Sequence, residues 1–208
     1  MGRPKLLLPW AGTTILGHIV RQWKLLKAAQ IIPVFRANDA ELEAEWARLG
    51  NNLDSRIINE QPGAGMFSSV QAASRWEGWK NEISHFVVTL GDQPQISGGV
   101  LRSLVQFASE SAATIVQPQI NGRPKHPVIF PRASFYALSS STASTLREFL
   151  EDHRANRRFW VCDEPSLEVD LDTAEDYANA RQRFDSDSMW LAEVLGKGRS
   201  WGNMRARI

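Results

Sequence analysis

The sequence holds 208 residues, 43% hydrophobic and 23% charged, which excludes disordered and fibrous classes and suits one α/β-sized domain, at most with an appendage. Its charge is balanced, 24 Lys and Arg against 23 Asp and Glu, and Cys162 is its one cysteine, so a dedicated nucleic-acid binder, a disulfide framework and a multi-cysteine zinc site are excluded. No run approaches the ~18 apolar residues of a membrane span, and no signal-type apolar stretch precedes Pro9, so a cytoplasmic protein is expected.

Apolar spacing alternates between strand-like and helix-like periods along the chain. Residues 13–28 set Ile15, Ile19, Trp23 and Leu26 at helical intervals, with Thr13 or Thr14 as the cap. Residues 31–35 read as a strand, 39–49 as an amphipathic helix opened by Asp39, and 56–59 as a second short strand. A Gly/Pro segment at 61–65 leads into a helix over 68–76. Residues 84–90 form a β-branched and aromatic strand that stops at Gly91-Asp92-Gln93-Pro94. Then follow a helix at 100–109, strands at 113–117 and 127–130, and helices near 135–138 and 145–153. Strands near 159–162 and 167–169 and a helix over 173–183 complete the pattern. Strands alternating with helices predict a three-layer, mostly parallel, Rossmann-like α/β sheet. Residues 1–183 are read as one domain and 184–208 as a tail, either disordered or docking Trp190 and Leu191 on a neighbour.

In such a sheet ligands bind beyond the carboxyl ends of the strands. Asp92 follows the clearest strand and either opens a turn before Pro94 or offers a carboxylate to a hard cation such as Mg²⁺. Gly2, Arg3 and Lys5 are either a solvated terminus or a phosphate anchor, and the apolar run Leu6-Leu7-Leu8 would fix Lys5 in place. Asn59, Gly65, Met66, Ser68 and Ser69 lead into a helix start, where the serines either cap the helix or meet an anion or base edge. Asp170 and Asp172 alternate on one predicted strand face and could share a cation, while Thr173 with Asp176 fits a helix-start capping pair. Lys125 and His126 precede the strand at 127–130, where a lone histidine before proline reads as a turn residue. His18 and His153 fall within helices and His85 opens a strand, so no histidine-based site emerges.

Five segments occur in a telling order: GRPKLLLPW-GTTIL (2–16), NEQPGAGMFSSV (59–70), VVTLGDQP (87–94), HPVIF (126–130) and VDLDTAEDY (169–177). Together they resemble the MobA/MocA-like nucleotidyltransferases, with the molybdenum cofactor cytidylyltransferases as the nearest branch. The resemblance runs from the first residue to about 183 and implies the sheet of the nucleotide-diphospho-sugar transferases. It implies transfer of a nucleoside monophosphate, CMP from CTP or another NTP, to the terminal phosphate of molybdopterin with release of pyrophosphate. In that scheme Asp92 holds Mg²⁺, Asp170 or Asp172 assists with a metal, and Lys5 with Arg3 and Gly2 meets the triphosphate. Asn59, Gly65, Ser68 and Ser69 lie beside the nucleotide, Lys125 and His126 face the acceptor, and a molybdoenzyme or its chaperone is the implied protein partner. Neither nucleic acid nor membrane is implied.

The sequence departs from the family in three places. Relatives carry a strand and a Gly-rich loop of the pattern LAAGxSxRMG, roughly 20 residues, before the GxPK element, and that strand is central in their sheet. This sequence begins at the Met-Gly of the pattern, so a sheet lacking its first central strand is expected, from a start internal to a longer product or from a degraded relative. Lys125 stands where relatives place glycine, and residues 139–142 (SSST) replace a Gly-Asp turn. Two alternatives to molybdopterin transfer stay open: another phosphorylated acceptor such as a sugar phosphate, or a non-catalytic nucleotide-binding relative.

Overall fold

A computed structural model describes residues 4–184. Gly2, Arg3 and the expected tail over 185–208 lie outside the described residues. The chain opens with a 3₁₀ turn, Lys5–Leu7, and a small hairpin of β1 (Pro9–Trp10) and β2 (Thr13–Thr14). The expected first helix is therefore shorter: α1 spans Ile15–Leu25, because Thr14 takes extended geometry and its hydroxyl accepts the Gly17 N–H at 3.0 Å. There follow β3 (Val34–Arg36), α2 (Ala40–Arg48), β4 (Ile57–Asn59), α3 (Met66–Arg75), β5 (His85–Val88) and α4 (Gly98–Ser109). The second half runs β6 (Ile115–Ile120), β7 (Arg123–Pro124), β8 (Val128–Pro131), α5 (Arg132–Ala137), α6 (Leu146–Asp152), β9 (Arg157–Val161) and α7 (Ala174–Phe184).

Strand pairing is mixed rather than mostly parallel. β3 and β4 pair in parallel, as do β6 and β9, but β8 runs antiparallel to both β5 and β6. β7 folds back on β6 as a hairpin that periodicity does not reveal. The strand expected near 167–169 is absent: Pro165–Leu167 is a 3₁₀ turn, and the following residues are irregular. Leu167, buried, and Val169, packed against the same core, supply the apolar alternation that suggested a strand.

Side chains alternate across the sheet as a layer covered on both sides requires. Phe86 on β5 and Val128 and Phe130 on β8 join Phe67 and Val70 of α3, Phe135 of α5 and Phe149 of α6 in one core. Val87 faces the other way, with Ile15, Ile19 and Trp23 of α1 and Val100 and Leu101 of α4. Ile129 packs on that same α4 side, against Leu104 and Ala108. The architecture is thus helix–sheet–helix, and no ladder joins the β3–β4 pair to β5 among the described residues.

Candidate active site

Three segments distant in sequence meet at Lys5. Its Nζ donates to Asp92 Oδ2 at 3.3 Å and to Asp172 Oδ1 at 3.2 Å, so one ammonium bridges two carboxylates. The position of Lys5 is built by packing. Leu6 sits so close to Gly91 that a Cβ on Gly91 would lie 3.1 Å from Leu6 Cδ2, and the Leu8 carbonyl accepts the Ile15 N–H at 2.9 Å. The hydroxyl of Tyr177 on α7 donates to the Pro9 carbonyl, bringing α7 beside the same segment. Partial burial opposes the charge on Lys5, but hydrogen bonds and the fields of Asp172 and Asp92 outweigh it and raise its pKa above the usual 10.5.

The segment over 166–172 is held by two buried glutamines that sequence reasoning missed. Gln95 Nε2 donates to the carbonyls of Ser166 at 3.1 Å and Val169 at 2.7 Å, and Gln93 Nε2 donates to Asp170 Oδ1 at 3.3 Å. The signal available was Gln-Pro-Gln directly after the strand stop: two amides too polar for a core and too regular for an open turn. With no strand there, Asp170 and Asp172 do not share one strand face. Asp170 turns to Gln93 and Asp172 to Lys5. Asp172 is free for that contact because Thr173 and Asp176 form the helix start themselves: Asp176 N–H donates to Thr173 Oγ1 at 3.1 Å and Thr173 N–H to Asp176 Oδ2 at 2.9 Å.

Asn59 organises a second polar cluster. Its Nδ2 donates to Ser68 Oγ at 2.8 Å and Ser69 Oγ at 3.0 Å, and its Oδ1 accepts the Gln61 N–H at 2.8 Å. Ser68 and Ser69 are thus tied to Asn59 rather than capping α3, which starts at Gly65 with no side-chain cap. Gly65 has φ +84 and ψ −177, a conformation essentially reserved for glycine. Gly65→Ala should therefore cost about 1–2 kcal/mol in urea unfolding and displace the α3 start, although a Cβ there meets no neighbour.

The two residues expected on the acceptor side, Lys125 and His126, split. Lys125 stays partly exposed after the β6–β7 hairpin, its N–H donating to Pro118 O at 2.8 Å. His126 turns inward: burial lowers its pKa, against a hydrogen bond to the Val88 backbone and the fields of Asp170 and Asp92. Its Nδ1 is buried without a partner, as is the Oε1 of Gln93.

His18, set aside on the sequence, supports the loop after Asp92. Burial, then the nearby Arg21, holds its pKa down to about 4, against a hydrogen bond to the Pro94 backbone. Its folded-state value lies below the unfolded 6.5, so the stability it confers is complete above about pH 6.5. As pH falls toward 4 the unfolded chain takes the proton first and that stability is lost. Urea midpoints measured from pH 7 to 4 should fall less steeply in His18→Gln, by at most about 3 kcal/mol in all.

The set gathers one ammonium and two carboxylates in one place. Two carboxylates oriented on one cation give hard oxygen ligands of the kind Mg²⁺ takes. Among the described residues no group of three or more His, Cys, Asp and Glu side chains could hold a metal. Nor is any described helix long and apolar enough to cross a membrane.

Comparison with known proteins identifies the family. Residues 1–157 match the MobA-like NTP transferase domain. Among curated proteins, the Bifunctional protein GlmU of Paracidovorax citrulli is 32% identical over 102 residues, 49% of this chain and 21% of that protein. The chain spans only about a fifth to a quarter of the length of the curated relatives it matches. Among solved structures, the complex of Rv0371C with manganese from Mycobacterium tuberculosis has a TM-score of 0.66 at 24% identity, covering 87% of this chain and 93% of that one. Molybdopterin-guanine dinucleotide biosynthesis protein A from Archaeoglobus fulgidus gives 0.56 at 18% identity, over 88% and 91%. These structures share the fold of the nucleotide-diphospho-sugar transferases. With three quarters of its length matched, the chain belongs to the family of MobA-like NTP transferase domains, and so to the nucleotidyltransferases.

Proposed function

We propose that this protein transfers CMP from CTP to the terminal phosphate of molybdopterin and releases pyrophosphate, with residues 1–183 as the working unit. The observation that carries the nucleotidyl-transfer reading is the Lys5 ammonium held between Asp92 and Asp172, which lie 87 and 167 positions along the chain from it. An acceptor phosphate oxygen forms a bond to the α-phosphorus while the bond from that phosphorus to the bridging oxygen breaks. The electron pair leaves with pyrophosphate. Nothing covalent forms on the protein, so its work is positioning and charge neutralisation.

Asp92 and Asp172 would hold Mg²⁺, which when bound neutralises phosphate charge. Lys5 offsets the charge growing on the leaving pyrophosphate, and Arg3 and Gly2 belong to the same phosphate contact. Asn59, with Gly65, Ser68 and Ser69, borders the cytosine and ribose. Lys125 draws the acceptor phosphate, and His126, neutral and inward, shapes that side. Asp170, engaged by Gln93, serves as a positioning residue. The order in which VVTLGDQP, HPVIF and VDLDTAEDY occur supports the molybdopterin branch. The manganese in the Rv0371C complex is consistent with a divalent ion at this kind of site.

The test follows pyrophosphate release from each NTP with Mg²⁺ and either molybdopterin or a panel of sugar phosphates. CTP with molybdopterin should give the fastest release. Release with a sugar phosphate but not molybdopterin would move the acceptor, a reading that the exposed basic hairpin at Arg123 also fits. Saturable NTP binding without release from any acceptor would make the chain a non-catalytic relative. Within the same assay Asp172→Asn should lower turnover more than tenfold further than Asp170→Asn, since only Asp172 faces the cation position.

A further inference from the structure

β9 is the outermost strand of its sheet: it pairs in parallel with β6 and, among the described residues, with no other strand. The ladder to β6 runs one residue past the strand, where the Cys162 N–H donates to the Gln119 carbonyl at 3.1 Å. Val161 is 73% exposed, more than any other large apolar side chain among the described residues. Asp163, two positions on, is exposed as well. The stretch 157–164 reads Arg-Arg-Phe-Trp-Val-Cys-Asp-Glu: two cations, an apolar centre, then two carboxylates. Charge on an edge strand usually discourages pairing. Here its distribution is self-complementary.

A parallel copy of this segment would set like charge against like. An antiparallel copy sets the basic end of each strand against the acidic end of the other. We propose that β9 is a self-association edge, on which a second copy of this chain adds its own β9 in antiparallel pairing across a two-fold axis.

The register follows from the faces of the strand. A two-fold axis normal to the sheet keeps each side chain on its own face, so odd residues meet odd and even meet even. With Val161 on the axis, the two exposed valines cover each other and Arg158 stands opposite the partner's Glu164. Asp163 then lies opposite the partner's Phe159, the ring that carries the Arg157 guanidinium at 4.7 Å. Both carboxylates therefore meet a cation. The cations are held in advance, Arg158 over the Phe107 ring at 4.4 Å and Arg157 on Glu151 at 2.6 Å. Such pairs set orientation and register more than affinity, and the contact is small, so the dimer is a transient one. This inference stands apart from the catalytic reading and is tested without measuring activity.

Sedimentation of the full chain from about 1 to 500 μM should show a reversible monomer–dimer equilibrium. Amide exchange over residues 157–164 should slow as the dimer forms. Val161→Lys places two ammonium groups on the axis and should weaken the dimer at least about tenfold, with the melting temperature of the dilute monomer unchanged. Arg158→Glu and Glu164→Arg should each weaken it as well, and mixing those two variants should restore a heterodimer. Four outcomes would overturn the proposal: a monomer at every concentration, a dimer that tolerates Val161→Lys, no recovery in the mixture, or exchange over 157–164 that is slow at every concentration. The last would assign the edge to a segment of the same chain.

Discussion

Asp92→Asn should reduce nucleotidyl transfer by at least about a thousandfold while leaving the fold intact. The amide is nearly the same size as the carboxylate, so the Gly91-Asp92-Gln93-Pro94 turn keeps its shape. What disappears is one of two anionic oxygens facing the shared cation. Stability should barely change, because the Asp92 side chain is 38% exposed and its ion pair with Lys5 is partly solvated. Such pairs are worth about 0–1 kcal/mol. The turn itself is secured elsewhere, by Gln95 on the carbonyls of Ser166 and Val169 and by His18 on Pro94. Parallel measurements of pyrophosphate release and thermal unfolding separate the two effects. A near-normal rate would remove Asp92 from the metal role, and a large drop in melting temperature would recast it as structural.

The parts of this site that could be read from the sequence are those that local rules control. Helix periodicity, the Thr14 cap and the Thr173–Asp176 pair are all interactions within four residues, and the structure contains them. Asn59 with Ser68 and Ser69 was legible as a constellation, since only the six residues 60–65, rich in Gly and Pro, separate the end of β4 from the start of α3. The β6–β7 hairpin had a signal that was not used: Asn121 and Gly122, both at positive φ, lie between two runs that can pair. Other features have no local cause. Choosing Asp172 over Asp170 depends on a contact spanning 167 positions, and burying Gln93 and Gln95 depends on where the 166–170 loop lands. Spacing predicted alternation on a strand there. The loop is irregular because its carbonyls bond to glutamine side chains in place of a neighbouring strand.

Lys5→Met should lower kcat about 100- to 1000-fold with little change in stability. Methionine keeps an unbranched stem of similar reach, so the Leu6 contact at Gly91 and the 3₁₀ turn over Lys5–Leu7 remain. The charge is lost, leaving Asp92 and Asp172 facing each other without their shared ammonium and the departing pyrophosphate without its counter-charge. Lys5→Arg restores the charge but spreads it over a planar fork of five donors, so it should recover no more than about tenfold. Because the carboxylates raise the Lys5 pKa above 10.5, its ammonium stays charged at every working pH. The deficit of Lys5→Met should accordingly be constant between about pH 6 and 9 when kcat is measured by pyrophosphate release. A deficit that shrank steadily across that range would show the critical charge belongs to a group that titrates there, and Lys5 would lose its role at the leaving group.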